Sequence, residues 1–496
     1  MVCISFLFKI RFKKQTLDFI ALKWFNINVY FIYTSQQEVC SMKNFKKALC
    51  IVLSVMLCLQ LGIMGFAQGE AAADYTIVNP YADVKWTGDN AWGAYKGSLH
   101  SHTTYSDANY SLEVMVKESY ARGYDFLAIA DHGVTGVDWD EAPYLHPLYL
   151  YQLVIGNEFK HLTTEEYEAI KNGTYNDRGY GMTPVLGANE FNNLSLSKNH
   201  VNGHFLKANE GNAFPGMENE QGFDDALAYI DAHGGLSYIN HPGDWLDSNS
   251  NPAIVNEQST IELYGNLILK YDSCLGMEIL NEKNGTTGYD RVLWDNLLMY
   301  TLPRGKNIIG FSNSDAHEPG TIDSSFSVFM MEENTEANIK ETMQSGAFFG
   351  VTRRLRANTL NEIGPATEID CIDSGIPYPM FTNIAVNGHS VDVSATDAKT
   401  LQWIANGKVI KTVDVSNGGS FTLNLDEIEG AEDFLYIRAE LFGDGGLCCS
   451  QAFVIDNGAD TIDVDEVTGI QAFINKIVNF FKGTKIYTLI IELTRL

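Results

Sequence analysis

Cysteine and positive charge are what this chain has least of. It holds eight cysteines in 496 residues, and only Cys274, Cys371, Cys448 and Cys449 lie beyond residue 67. That scarcity excludes a small disulfide-stapled scaffold and leaves room for one bridge at most. The adjacent Cys448 and Cys449 read as packing residues rather than a vicinal pair. Lys and Arg number 34 against 62 Asp and Glu, a formal charge of −28. Such a surface repels polyanions, so nucleic acid is not an expected substrate. Solubility outside the cell explains the same charge equally well.

The N-terminus reads as a targeting region. Residues 1–41 lack clean periodicity and are taken as an upstream extension, with Met42 as the better start. Lys43, Lys46 and Lys47 make a basic region, 48–66 an apolar stretch, and Gly65-Phe66-Ala67 places small residues at the cleavage positions. Residues 42–67 are therefore expected to be a signal peptide, and the protein to be secreted or held at the cell surface. Uncleaved, the same stretch would anchor it as a membrane helix. Cleavage removes eight of the 34 basic and two of the 62 acidic residues, leaving 26 against 60, a charge of −34.

What is present is a set of histidines and carboxylates, each beside a short apolar run. His100 and His102 follow 94–99, Asp131 and His132 follow 124–130, and Glu190 follows 184–188. His204 precedes Phe205-Leu206, His241 follows 236–239, and Asp315 and His317 follow 307–311, while Asp107 lies just beyond the first pair. A His-x-His pair leaving a strand points both rings to one side of the pleat. Between the runs lie helical patterns. In one, Leu112, Met115, Val116 and Tyr120 recur between an N-cap at Ser111 and a stop at Gly123. In another, Phe223, Ala226, Leu227 and Ile230 precede Gly234-Gly235. Strands alternating with helices predict an α/β fold around a parallel sheet, and polar residues at strand ends predict a barrel with its site on that face. His146, His161 and His389 read as ordinary surface or packing histidines, and His233 as a helix C-terminal cap.

Seven stretches in order, GSLHSHTTYSDA (97–108), YDFLAIADHG (124–133), GANEF (187–191), GHFL (203–206), INHPG (239–243), GMEILN (276–281) and SNSDAH (312–317), resemble the PHP (polymerase and histidinol phosphatase) family of metal-dependent hydrolases. The resemblance covers roughly 94–350. It implies a distorted (β/α)7 TIM-like barrel and two or three divalent metal ions, with Zn, Mn and Fe all compatible with the donor set. By position, it implies that His100, His102 and Asp315 hold one ion. Glu190, His204 and His241 would hold a second, with Glu190 bridging, and Asp107, His132 and His317 a third. His200 is the alternative to His204, which GHFL favours. The family's SDG reads Ser106-Asp107-Ala108 here, keeping the carboxylate and losing a glycine. Glu190 and Asp315 are expected to be catalytic as well as liganding. Asp131 is expected to orient a ring or relay a proton, and Glu278 and Asn281 to support the site.

The barrel is expected over 90–355, with 138–181 an insertion forming a specificity lid. In that insertion Arg178, and beyond it Lys198, are candidates to neutralise a phosphate, with plain surface roles as the alternative. Downstream the period changes to two, and short alternating runs with an Asn406-Gly407 hairpin signal predict a C-terminal β-sandwich over 380–456. The tail 457–496 carries Phe473, Ile474, Ile477, Val478 and Phe481 at helical spacing. This predicts an amphipathic helix docked on the body, with membrane-surface association as the alternative. The expected function is an exported metal-dependent phosphoesterase that hydrolyses a small phosphorylated substrate with a metal-bound hydroxide. The alternatives are a carboxylic or carbamate ester or amide hydrolase of the same fold, and a non-catalytic surface binding protein.

Overall fold

The computed structural model describes residues 9–12, 15–18, 21–24, 27–30, 75–192, 200–212, 220–281, 288–458 and 461. The predicted signal peptide at 42–67 lies outside them, as do Lys198 and nearly all of the tail. Met1–Ala73 and Asp74–Leu496 are two separate units. In the first, Lys9–Phe12 pairs antiparallel with Gln15–Asp18, and Ala21–Trp24 with Ile27–Tyr30.

In the second unit strands alternate with helices over part of the chain, and elsewhere strands follow one another directly. β1 (Gly93–Ser98), α1 (Leu112–Ala121), β2 (Phe126–Ala128), β3 (Thr183–Val185), β4 (Asn189–Phe191) and β5 (Val201–His204) come first. They are followed by α2 (Glu220–Ala232), β6 (Leu236–Ile239), α3 (Gln258–Lys270), β7 (Cys274–Leu280), α4 (Asp290–Thr301), β8 (Ile309–Ser312), β9 (Ser325–Met331), α5 (Glu336–Ser345) and β10 (Phe348–Thr352). Local chemistry sets the helix ends. The Ser111 hydroxyl accepts from Val114 N at the start of α1, and Thr335 accepts from Asn338 N before α5, which ends on left-handed Gly346. The apolar spacing of α2 buries Phe223, Ala226, Leu227 and Ile230.

The closed barrel does not form. Hydrogen bonding divides the strands into a five-stranded sheet, β8-β7-β6-β5-β4, and a larger sheet in which β10-β9-β1-β2-β3 run side by side. Among the described residues, the isolated bridges His132↔Glu190 and Ser101↔Ala316 link the two sheets. β5 runs antiparallel to both β4 and β6, and β9 antiparallel to β1 and β10, while β1-β2-β3 and β6-β7-β8 are parallel. Residues 192–200 between β4 and β5 are too few for a crossover helix, so the chain must return antiparallel.

The C-terminal strands are β11 (Met380–Asn387), β12 (Ser390–Thr396), β13 (Thr400–Ala405), β14 (Lys408–Asp414), β15 (Ser420–Asn424), β16 (Tyr436–Gly443), β17 (Gly446–Cys449) and β18 (Phe453–Asp456). β11, β12 and β15 make a three-stranded antiparallel sheet. The others extend the large sheet through the β17–β10 pairing. Asn406 and Gly407 both take positive φ in the β13–β14 hairpin, as the dipeptide predicts. A buried charge network ties this region to α4. Arg438 grips Asp295 at 2.7 and 2.6 Å and reaches Glu440 at 2.6 Å, Tyr436 Oη donates to Asp295 at 2.6 Å, and Arg291 pairs with Glu440.

Candidate metal centre

The strands converge on one rim. His100 and His102 leave β1, Asp131 and His132 leave β2, Glu190 sits in β4, His241 leaves β6, Glu278 lies in β7, and Asp315 and His317 leave β8. His200 immediately precedes β5. Because β5 is reversed, its beginning shares the rim with the ends of the parallel strands, and its last residue, His204, lies at the opposite end.

The consequence is a correction. His200 Nδ1 stands 2.9 Å from Glu190 Oε1, while His204 is absent from the cluster. His204 is instead buried against Tyr238, ring centroids 5.4 Å apart, with neither ring nitrogen hydrogen-bonded. Burial, with a smaller push from His100, lowers its pKa to about 3, so the ring is neutral. The other expected residues come together. Ligand atoms of His100, His102, Glu190 and Asp315 lie within 4.8 Å of one another, as do those of His102, Asp107, His132 and His317, and those of His132, Glu190 and His200. His241 Nε2 is 3.3 Å from Glu190 Oε1 and 3.6 Å from Asp315 Oδ2.

Geometry inside the cluster suits cations better than hydrogen bonds. Glu190 Oε2 is 3.1 Å from both His100 Nε2 and His102 Nε2, and Asp315 Oδ1 is 3.2 and 3.0 Å from the same atoms. Yet both oxygens are buried without a hydrogen-bond partner, as are His132 Nδ1 and Asp107 Oδ1. Buried lone pairs that converge without donors are costly unless a cation sits among them. Imidazoles mixed with carboxylates are the donor set of Zn, Mn or Fe, so the residues fit divalent ions.

Opposed charges within the cluster polarise one another. Burial works against ionising Glu190 and Asp315, but the surrounding histidines outweigh it and hold both carboxyls well below the ordinary range. Burial also works against protonating His241 and His317, and the neighbouring carboxylates outweigh it, raising them to about 9 and about 10. For His132 burial prevails, and its pKa falls to about 3.

Groups behind the cluster fix which nitrogen faces inward. His100 Nδ1 donates to Glu278 Oε1 at 2.9 Å, and Glu278 also accepts from Asn281, Asn313 and the His241 backbone. His317 Nδ1 donates to its neighbour's carbonyl, Asp315 O, at 2.9 Å. Asp131 faces Ser106, whose hydroxyl donates to it at 2.5 Å and lies 3.3 Å from His102 Nδ1. Asp131 further accepts from Thr103 N and Oγ1. Two residues had no role assigned from sequence: Asn240, within the INHPG stretch, donates to Glu190 Oε1 at 2.6 Å, and the ring of Trp245 lies 4.4 Å from His200 and 5.1 Å from His241.

Other candidates fall away from the rim. Arg178 is held by Asp125 at 3.1 Å and stacked on Tyr120 and Tyr180, so it is not poised for a phosphate. His389 stacks on Tyr75 and pairs with Asp426, and His233 donates to Tyr229 O near the end of α2.

No family model matches the chain, and no curated protein matches it. Among solved structures it is similar to a two-domain protein containing a predicted PHP-like metal-dependent phosphoesterase from Bacteroides vulgatus, at 14% identity and a TM-score of 0.37, covering 78% of this chain and 99% of that one. It is similar to a lesion-specific endonuclease from Pyrococcus furiosus at 11% identity and 0.29, covering 54% and 58%. An amidohydrolase from Chromobacterium violaceum matches at 14% and 0.25, covering 44% and 87%. Likenesses at this level leave the chemistry to be read from the chain's own side chains.

Proposed function

We propose that the protein is a metal-dependent hydrolase of the PHP type, acting as a phosphoesterase on a small phosphorylated compound. The observation that carries this reading is the convergence of His100, His102, Glu190 and Asp315, with Glu190 Oε2 and Asp315 Oδ1 buried and without a hydrogen-bond partner. In this reading His100, His102 and Asp315 would hold one ion, Glu190, His200 and His241 a second, and Asp107, His132 and His317 a third. Divalent ions bound there lower the pKa of water and neutralise charge developing on a phosphoryl oxygen.

The chain's own part is positioning. Glu278 keeps the proton of His100 on Nδ1, which leaves Nε2 free as a donor atom. Asp131 does the same for His102 through Ser106. Asn240 holds the Glu190 carboxylate in place, and Trp245 walls off His200 and His241 from water. Divalent-metal loading followed by a panel of phosphomonoesters and phosphodiesters tests the reading; metal-loaded protein that turns over none of them overturns it.

Hydrolysis of a carboxylic or carbamate ester or amide is the second reading. The commitment of Arg178 to Asp125 favours it, because that removes a counter-charge the first reading would use. Turnover of esters with none of phosphates would select it. The C-terminal strands, in two layers over a shared apolar core, are read as a β-sandwich module that walls the barrel-like body. Export through 42–67 belongs to the same proposal, and N-terminal sequencing of the mature protein tests it.

A further inference from the structure

Behind the cluster lies a buried polar layer built around one phenol. Tyr238 Oη accepts from Asn202 Nδ2 at 2.9 Å and from Asn313 Nδ2 at 3.2 Å. Amide nitrogens only donate, so the phenol's own hydrogen goes to Leu99 O, 3.3 Å away. Asn313 is pinned in turn. Its Oδ1 accepts from Leu99 N at 2.7 Å, and its Nδ2 also donates to Glu278 Oε1 at 3.0 Å, the oxygen that receives His100 Nδ1. On the other side, Asn240 Oδ1 accepts from Asn202 N at 3.1 Å while its Nδ2 holds Glu190. Leu99, Asn202, Tyr238, Asn240, Glu278 and Asn313 are all fully buried. Leu99 follows β1 of the large sheet and immediately precedes His100, whereas Asn202, Tyr238 and Glu278 lie in β5, β6 and β7 of the other sheet. Side chains thus clamp the end of β1 to the five-stranded sheet directly behind a candidate ligand.

We propose that Tyr238 is a positioning residue of the metal centre, its hydroxyl acting through Asn313 and Glu278 to fix the His100 ring against Glu190 and Asp315. This rests on the reading of the cluster as a metal centre. Without the hydroxyl, two buried amide N–H groups lose their acceptor, and Asn313 turns to find another. That movement pulls on Glu278 and on Leu99, both of which hold His100. His100 Nε2 stands 3.1 Å from Glu190 Oε2 and 3.2 Å from Asp315 Oδ1. A site of this kind needs its donors held to within about 0.5 Å, so a small rotation weakens it.

The test titrates Mn into metal-free, full-length protein by calorimetry, well below Tm, with circular dichroism showing that each variant is folded. Tyr238→Phe keeps the ring on Phe311 and His204, at 4.3 and 5.4 Å, and removes only the oxygen. It is expected to weaken Mn binding about tenfold, the lower end for a partner behind a ligand. Asn313→Ala is expected to do the same, and Tyr238→Phe added to it to change the affinity little further, because the path is already broken. Unchanged affinity in folded Tyr238→Phe, or losses that multiply in the double variant, overturns the inference. If Tyr238→Phe does not fold, Asn313→Ala decides alone: weaker binding supports the path and unchanged binding overturns it. His204→Phe touches the Tyr238 ring but not its oxygen, and should bind Mn as the parent does. An equal loss there makes packing the cause, and the inference falls. A parent that binds Mn and hydrolyses no phosphate ester ends the phosphoesterase reading, and this inference stands on the affinities. A parent that binds no Mn overturns both.

Discussion

His100 Nδ1 and Glu278 Oε1, 178 residues apart in sequence, meet at 2.9 Å with both side chains fully buried. A carboxylate can only accept, so Nδ1 carries a proton, and Nε2 lies 3.1 Å from Glu190 Oε2 and 3.2 Å from Asp315 Oδ1. Glu278→Gln removes the negative acceptor while keeping the shape. It is expected to weaken metal binding about 10- to 100-fold, the usual cost of losing such a partner. Metal titration by calorimetry checks this; unchanged affinity would show that Glu278 only packs.

His200 and His204 exchange the roles the sequence suggested. His200→Ala is expected to lower metal stoichiometry and turnover, because it removes a ring 2.9 Å from Glu190. His204→Phe is expected to retain both. Metal analysis of the two purified variants, run side by side, decides between them.

The same His204 makes stability depend on pH. Its ordinary value of 6.5 falls to about 3 in the folded protein through burial. The unfolded chain therefore binds the extra proton between those values, so the penalty is absent above pH 6.5 and grows as pH falls toward 3. At about 1.4 kcal/mol per unit, the parent should lose roughly 2 kcal/mol at pH 5 that His204→Phe does not lose. Denaturant midpoints of the two proteins at pH 7.5 and 5 should therefore diverge on acidification; parallel behaviour refutes the burial argument.

Most of the rim was legible in the sequence because each donor abuts a strand, and alternation tells which way a side chain leaves the pleat. Strand direction was not legible. The run around Val201–His204 reads the same in either sense, and the GHFL resemblance favours a donor at its end, whereas the reversed strand brings its beginning to the rim. Nor was it legible that β5 and β9 run against their neighbours, where alternation alone suggests a uniformly parallel sheet. Glu278, in contrast, takes its supporting role from the GMEILN resemblance, while its partner, His100, needs the structure.

Arg438 and Asp295 join the C-terminal strands to α4, with both side chains fully buried. Arg438→Met leaves the Asp295 charge without its main partner and should cost about 3–5 kcal/mol. The 74–496 unit should also unfold in one calorimetric transition, because the network and the β17–β10 pairing cross between its regions. Two separate transitions would show that the C-terminal strands fold alone.

Metal content measured together with turnover probes the cluster most directly. The full-length protein should bind more than one equivalent of divalent ion per chain and hydrolyse a phosphate ester. The paired substitution of His100→Ala and Asp315→Ala should remove the metal and abolish hydrolysis without unfolding the chain. A parent that binds no divalent ion after exposure to Mn, Zn and Fe, or a paired variant that keeps full activity, would contradict the account.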